Sequence, residues 1–388
     1  MPCSPYPDQP VLDALDRRLL DEHQRGFPVC ETPFAEIAHS LGCDTDEVLR
    51  RLARLRRDGV VSRIGPVFAP GRIGASTLAA MAVPPARLES VAACVNRYRA
   101  VNHNYEREHA INLWFVLAAP DADEIGEALA DIRRRTGLEV LDLRLERAYH
   151  IDLGFPLWRR AEASGTRSSR AEGNGAASGG AMSSGAGRNG AAWGGARPNG
   201  AGRSDTAPAG AYTPGPPAAL DASDRRLVGA IQDGLPLTAR PYAAVARRTG
   251  LSEALVMDRL ARLLDDGVIK RMGVVVRHRE LGYRANAMVV FDVPDHRVDA
   301  AGERLARVSR VTLCYRRGRR LPRWPYNLYC MIHGQDRAEV MGRVDGLPAD
   351  AVAGLDRAVL FSRRRFRQRG ARYGPDHAPA TSRVRARG

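Results

Sequence analysis

Lysine is almost missing from these 388 residues: Lys270 is the one example, and arginine supplies the rest of the 59 basic side chains, against 44 acidic ones. The resulting charge of +15 fits a polyanionic partner. So one-sided a use of arginine also fits a bias in codon composition, and the charge alone is therefore discounted. The six cysteines (Cys3, Cys30, Cys43, Cys94, Cys314, Cys330) form no CxxC pair. That excludes a recognisable structural zinc site and a disulfide framework, and points to reduced thiols in the cytoplasm. No apolar run approaches the roughly 18 residues of a membrane span, and the opening MPCSPYPDQP has no basic stretch leading into an apolar one. The expectation is a cytoplasmic protein with no membrane partner.

A repeat organises the sequence. Leu12-Asp13-Ala14 with Asp16-Arg17-Arg18-Leu19 returns 208 residues later as Leu220-Asp221-Ala222 with Asp224-Arg225-Arg226-Leu227. The same offset carries Arg51-Leu52-Ala53-Arg54-Leu55 onto Arg259-Leu260-Ala261-Arg262-Leu263, and Asp58-Gly59-Val60 onto Asp266-Gly267-Val268. A unit this long is no solenoid repeat; it is a duplicated domain pair, or two fused subunits packed as a pseudo-dimer. Between the copies, residues 162–217 are mostly Gly, Ala, Ser, Asn and Arg and read as a disordered linker.

Within each copy the first sixty or so residues predict three helices and a hairpin, a winged helix-turn-helix outline. Asp44 and Glu47 mark the start of the third helix. The order βαββαβ follows, a ferredoxin-like pattern. In the first copy its strands are expected near Thr77–Val83, Val101–Glu106, Ile111–Leu117 and Val140–Ala148. In the second they fall near Ala287–Val293, Val311–Arg316, Asn327–Ile332 and Ala358–Phe361. The expected fold class is thus α+β, with helix-turn-helix domains at 1–74 and 218–282 and ferredoxin-like domains at 75–161 and 283–362. Residues 363–388, rich in arginine, read as a disordered basic tail.

This architecture resembles the AsnC or leucine-responsive (Lrp) transcription regulators, which implies DNA binding as one reading, with a tetrapyrrole or another small ligand as effector. The residues opening the recognition helices speak against it. Asp44, Asp46 and Glu47, and Glu253 in the second copy, would repel phosphates where a DNA reader places its contacts. DNA binding is not expected.

The chemistry concentrates in two matched segments. His103-Asn104-Tyr105-Glu106-Arg107-Glu108-His109-Ala110-Ile111-Asn112-Leu113-Trp114 crosses the central hairpin of the first α/β domain. Cys314-Tyr315-Arg316-Arg317-Gly318-Arg319-Arg320-Leu321-Pro322-Arg323-Trp324-Pro325-Tyr326-Asn327-Leu328-Tyr329 takes the same place in the second, with five more residues between its tyrosine and asparagine. The first is similar to the signature of one siroheme decarboxylase subunit and the second to that of its partner subunit. The resemblance implies a fused two-subunit enzyme that converts siroheme to 12,18-didecarboxysiroheme, on the way to heme d1 or heme and in company with other enzymes of that synthesis. It further implies no cofactor, since iron arrives within the substrate, and no metal site of the protein's own.

Siroheme is a flat apolar ring fringed by carboxylates, so its pocket needs apolar faces and guanidinium groups. The candidate binding residues are His103, Trp114, Arg316, Arg317, Arg319, Arg320, Arg323, Trp324, Tyr326 and Tyr329, the arginine run serving to anchor remote carboxylates. For Trp114 the competing reading is core packing, and for His103 a packed or solvent-facing strand residue. Loss of CO2 leaves a carbon that must be protonated, and the candidates for that chemistry are His109, Tyr105, Arg107 and Tyr315. His109 could alternatively be an axial ligand to the substrate iron. Asn112 and Asn327 are expected to satisfy turn backbone, and no motif supports His150, His278, His296, His333 or His377. With no counterpart of His109 in the second copy, one composite site or two unequal ones are expected, catalysis leaning on the first copy.

Overall fold

The computed structural model describes residues 11–151 and 217–373. The linker reading up to residue 216, and the tail reading from residue 374, lie outside the described residues. Each copy opens with three helices: α1 (Ala14–Glu22), α2 (Pro33–Leu41) and α3 (Thr45–Arg57) in the first, α6 (Ala222–Ile231), α7 (Pro241–Thr249) and α8 (Glu253–Asp265) in the second. The repeated Asp-x-x-Asp explains both starts. Asp13 accepts from the Asp16 amide and Asp16 from the Asp13 amide, and Asp221 and Asp224 repeat the exchange. Gly42 and Gly250 then end α2 and α7 in the left-handed conformation.

The expected wing hairpins do not form. Each copy contributes a single strand here, β1 (Val61–Phe68) and β6 (Ile269–Val276), and the two pair antiparallel with each other across the copies. The half-patterned apolar runs on either side of Gly59 and Gly267 thus find their partner in the duplicate rather than next door. Both helix-turn-helix units consequently share one core, in which Leu52 and Leu260, Phe34 and Tyr242 are fully buried. Gly273 of β6 lies so close to the loop after α1 that a Cβ there would sit 1.9 Å from the Gln24 carbonyl oxygen, which only glycine permits.

The α/β units are β2 (Ala75–Met81), α4 (Leu88–Asn96), β3 (Val101–Arg107), β4 (Leu113–Ala119), α5 (Ala122–Thr136) and β5 (Leu141–Ile151), then β7 (Ala285–Phe291), α9 (Val298–Ala306), β8 (Val311–Arg317), β9 (Leu328–Gly334), α10 (Arg337–Asp345), α11 (Ala349–Val352) and β10 (Arg357–Gln368). Their sheets order as β5-β2-β4-β3 and β8-β9-β7-β10, and because β5 pairs with β8 and β10 with β3, they close into one eight-stranded barrel. The helices cover the outside over two apolar clusters, while a third cluster, including Trp114, Trp324, Tyr329 and Leu360, fills the inside. Tyr149 of β5 pins one seam, its ring against Gly302 of α9 and its hydroxyl donating to Asp299.

The tail reading fails at its start. β10 runs on past residue 362, and Ser362, Arg365 and Gln368 pair in register with Arg107, Tyr105 and His103 of β3. Arginine-rich sequence reads as solvated, yet here the open edge of β3 offers it a ladder of backbone hydrogen bonds, which outweighs composition.

Candidate active site

Strand alternation decides which side chains enter the barrel. On β3 these are His103, Tyr105 and Arg107, since Asn104 points the other way, donating to the Ala92 carbonyl of α4. On β8 they are Leu313, Tyr315 and Arg317, since Cys314 faces the Gly302 carbonyl of α9. The copies therefore place the same device on opposite walls. Arg107 donates Nη1 to the Leu360 carbonyl at 3.0 Å and stands 5.9 Å from the Tyr105 ring centre; Arg317 donates Nη1 to the Leu143 carbonyl at 2.6 Å and stands 4.7 Å from that of Tyr315. In both arginines the buried Nε lacks a hydrogen-bond partner. The Nε atoms of Arg63, Arg72, Arg147 and Arg259 are in the same state, so what sets Arg107 and Arg317 apart is their place beside Tyr105 and Tyr315 inside the barrel.

Between the walls the matched segments meet ring to ring. Trp324, wholly buried, lies 5.0 Å from Trp114, 5.4 Å from His109 and 4.9 Å from Tyr326, centre to centre, and donates its Nε1 to the Tyr329 hydroxyl at 2.6 Å. Tyr315 and Tyr329 stack at 5.6 Å, and His103 and Tyr105 at 6.2 Å. Trp114 is core, its Nε1 donating to the Ile111 carbonyl at 2.7 Å. Asn112 and Asn327 do hold turn backbone, each exchanging two hydrogen bonds of 2.9 to 3.0 Å with Val83 and Val293.

His109 accepts a hydrogen bond from the Ile111 amide on Nδ1 at 2.9 Å. Its neutral ring must then carry the hydrogen on Nε2. Burial lowers its pKa. This tautomer suits His109 as a hydrogen-bond donor and not as an axial ligand through Nε2. Burial also raises the Tyr105 phenol, keeping it protonated, and presses His103 down to about 4, so that it too is neutral near pH 7.

Three of the five arginines in the run are paired with carboxylates from other elements. Arg316 is bound by Glu146 at 2.7 Å, Arg319 by Asp292 at 2.8 Å and Asp295 at 2.5 Å, and Arg323 by Glu139 at 2.5 Å, while Arg320 is exposed at the hairpin tip, where its backbone bridges to Trp324. The sequence shows the cations but not the carboxylates that other elements bring to them. Of this run Arg317 alone enters the barrel. Conversely, sequence reasoning missed Ser362, Arg365 and Gln368, assigned largely to a tail, and His333 of β9, whose Nδ1 lies 3.1 Å from the Thr312 hydroxyl and whose pKa falls to about 4 through burial, with Arg107 adding to the effect. Alternation along β9 was the signal that could have found His333.

Two helix-turn-helix units sharing a core, over an eight-stranded barrel with paired tyrosine and arginine residues inside, define a tandem AsnC-type ligand-binding protein. Models of the AsnC-like ligand binding domain match residues 72–150 and 280–367, and models of the siroheme decarboxylase NirDL-like HTH domain match 16–61 and 224–270. The siroheme decarboxylase NirDL subunit of Paracoccus denitrificans is 40% identical over 93% of this chain and 98% of its own length, and the NirD subunit of Stutzerimonas stutzeri is 56% identical over 38% of this chain and 96% of its own. The crystal structure of the siroheme decarboxylase NirDL in co-complex with an iron-uroporphyrin III analogue superposes with a TM-score of 0.61 at 26% identity, covering 92% of this chain and 94% of that one. The chain belongs to the siroheme decarboxylase family.

Proposed function

We infer that the protein is a carboxy-lyase that removes two acetate carboxylates from siroheme, giving 12,18-didecarboxysiroheme and CO2, within heme d1 or heme synthesis. The observation that carries this reading is the matched tyrosine and arginine pairs on facing walls of the barrel, Tyr105 with Arg107 and Tyr315 with Arg317, where the Arg107 guanidinium suits a carboxylate on the fringe of a tetrapyrrole. The aromatic rings of both copies around Trp324 supply apolar faces for the macrocycle.

Each turnover breaks one C–C bond, releases CO2 and leaves the bonding pair on the methylene carbon, which takes a proton to become a methyl group. Tyr105, kept protonated by burial beside Arg107, is the proton donor, with the guanidinium stabilising the phenolate left behind. His109 orients the reacting group through Nε2–H. Arg107 holds a carboxylate that stays, because gripping the departing one would stabilise the ground state. Iron is part of the substrate, and the chemistry calls on no resident cofactor.

The helix-turn-helix units support the enzyme over the regulator. Arg51 and Arg54 of α3 clasp Asp16 at 2.9 and 2.5 Å, and Arg259 and Arg262 of α8 clasp Asp224 at 2.8 and 2.6 Å, so these four arginines hold α1 and α6, while Arg50, Arg56 and Arg57 of α3 stay exposed. Anaerobic incubation with siroheme and mass spectrometry should show loss of two CO2. Tyr105→Phe should slow turnover at least about a hundredfold while affinity stays within a few fold. Tight binding without any mass change would remove the enzyme reading, and a shift of promoter DNA would restore the regulator.

A further inference from the structure

The duplicated barrel invites a reading in which each copy has its own site, but the register of the seams contradicts it. The walls are built by equivalent strands with equivalent bulges: β3 against β10, and β8 against β5. On the first wall Arg107 faces Ser362, Tyr105 faces Arg365, and His103 faces Gln368. On the second Arg317 faces Leu145, Tyr315 faces Ala148, and Leu313 faces Ile151. Facing residues of an antiparallel pair project to the same side, so each difference changes what that face of the wall presents, with Gln368 itself exposed to solvent. Tyrosine and arginine are kept on both walls, while every neighbour is polar on one and apolar on the other.

Hydrogen bonding follows the same division. Arg365 donates to the Gln368 side chain at 3.0 Å and is paired with Glu280 at 3.2 Å, and the buried hydroxyl of Ser362, like Arg107 Nε, has no partner. Opposite, Leu145, Ala148, Leu313 and Ile151 belong to the apolar filling of the barrel. A carboxylate brought to the β5–β8 wall would find Arg317 alone among hydrocarbon, which leaves most of its lone pairs unsatisfied. Brought to the β3–β10 wall it meets two guanidinium groups and a hydroxyl.

We propose that the barrel holds one binding site for the carboxylate fringe of the tetrapyrrole, on the wall shared by β3 and β10, with Arg365 and Gln368 as binding residues given by the second copy to the tyrosine and arginine of the first. Glu280 holds Arg365 in place until a substrate carboxylate takes over the guanidinium. The β5–β8 wall packs against the apolar face of the ring. The proposal rests on the reading of the protein as a siroheme decarboxylase and names the part of the barrel that recognises the substrate.

Titration of the full chain with siroheme, followed by Soret absorbance, should saturate at one equivalent. Arg365→Gln should weaken siroheme binding at least about tenfold and Gln368→Leu several fold, with unchanged circular dichroism, whereas Arg304→Gln, at an exposed position of α9, should stay within about twofold. Saturation at two equal equivalents, or wild-type affinity in both Arg365→Gln and Gln368→Leu, would overturn the assignment while turnover by the unaltered protein upheld the function. Failure of the unaltered protein to bind or decarboxylate siroheme would remove both.

Discussion

His103 and His333 show how a single residue links site and stability. Both sit inside the barrel, with pKa values of about 4 against an ordinary value near 6.5. A base whose pKa is lowered on folding binds fewer protons in the native state, so its contribution to stability is present above the unfolded value and lost as the pH falls. The window is therefore pH 6.5 down to 4, and the loss is up to about 3 kcal/mol for each histidine. Urea titrations between pH 7.5 and 4.5 should show stability falling toward acid, and His333→Gln should flatten that slope; equal slopes in variant and parent would contradict the burial argument. His103 was legible as a site candidate because it stands two residues before a repeated tyrosine. His333 was not, because its burial, and the Arg107 charge that adds to it, come from residues that the sequence keeps more than 200 positions apart.

Among the elements, those fixed by local signals match expectation, and those fixed by a distant partner do not. Capping aspartates, terminal glycines and apolar spacing located α1 to α3, α6 to α8 and the hairpins β3-β4 and β8-β9, all of which depend on neighbours in sequence. β1, β6 and the second part of β10 escaped because each pairs with the other copy. Arg363-Arg364-Arg365 looks like a solvated charge run, and Arg364 and Arg365 become strand residues only where Glu106, Glu89 and Glu280 wait for them. Truncation separates these contributions. A chain ending at Tyr373 should keep full siroheme turnover, since it retains the whole of β10. One ending at Phe361 should lose turnover at least about a hundredfold and unfold at lower denaturant, because it opens the β3 edge and removes Arg365 and Gln368. Equal activity of the two would show that β10 beyond residue 361 is dispensable.

In the whole molecule, duplication has been followed by division of labour. The sequence revealed the two copies and their offset, and the family resemblance supplied the substrate, but the closing of two four-stranded sheets into one barrel depends on seams that no local pattern encodes. Those seams are extensive: β1 with β6, β5 with β8, β10 with β3, and a helix-turn-helix core drawn from both copies. They hold the halves together by buried apolar surface and strand pairing, which two separate chains could make as well as one. Residues 1–161 and 218–388 expressed together as separate chains should therefore co-purify one to one and decarboxylate siroheme within about fivefold of the intact protein. Each expressed alone should be inactive, because Tyr105 and Arg107 lie in one piece and Arg365 and Gln368 in the other. Activity of residues 1–161 alone would mean that the polar wall is not shared, and failure of the pieces to associate would mean that the connecting segment does more than tether them.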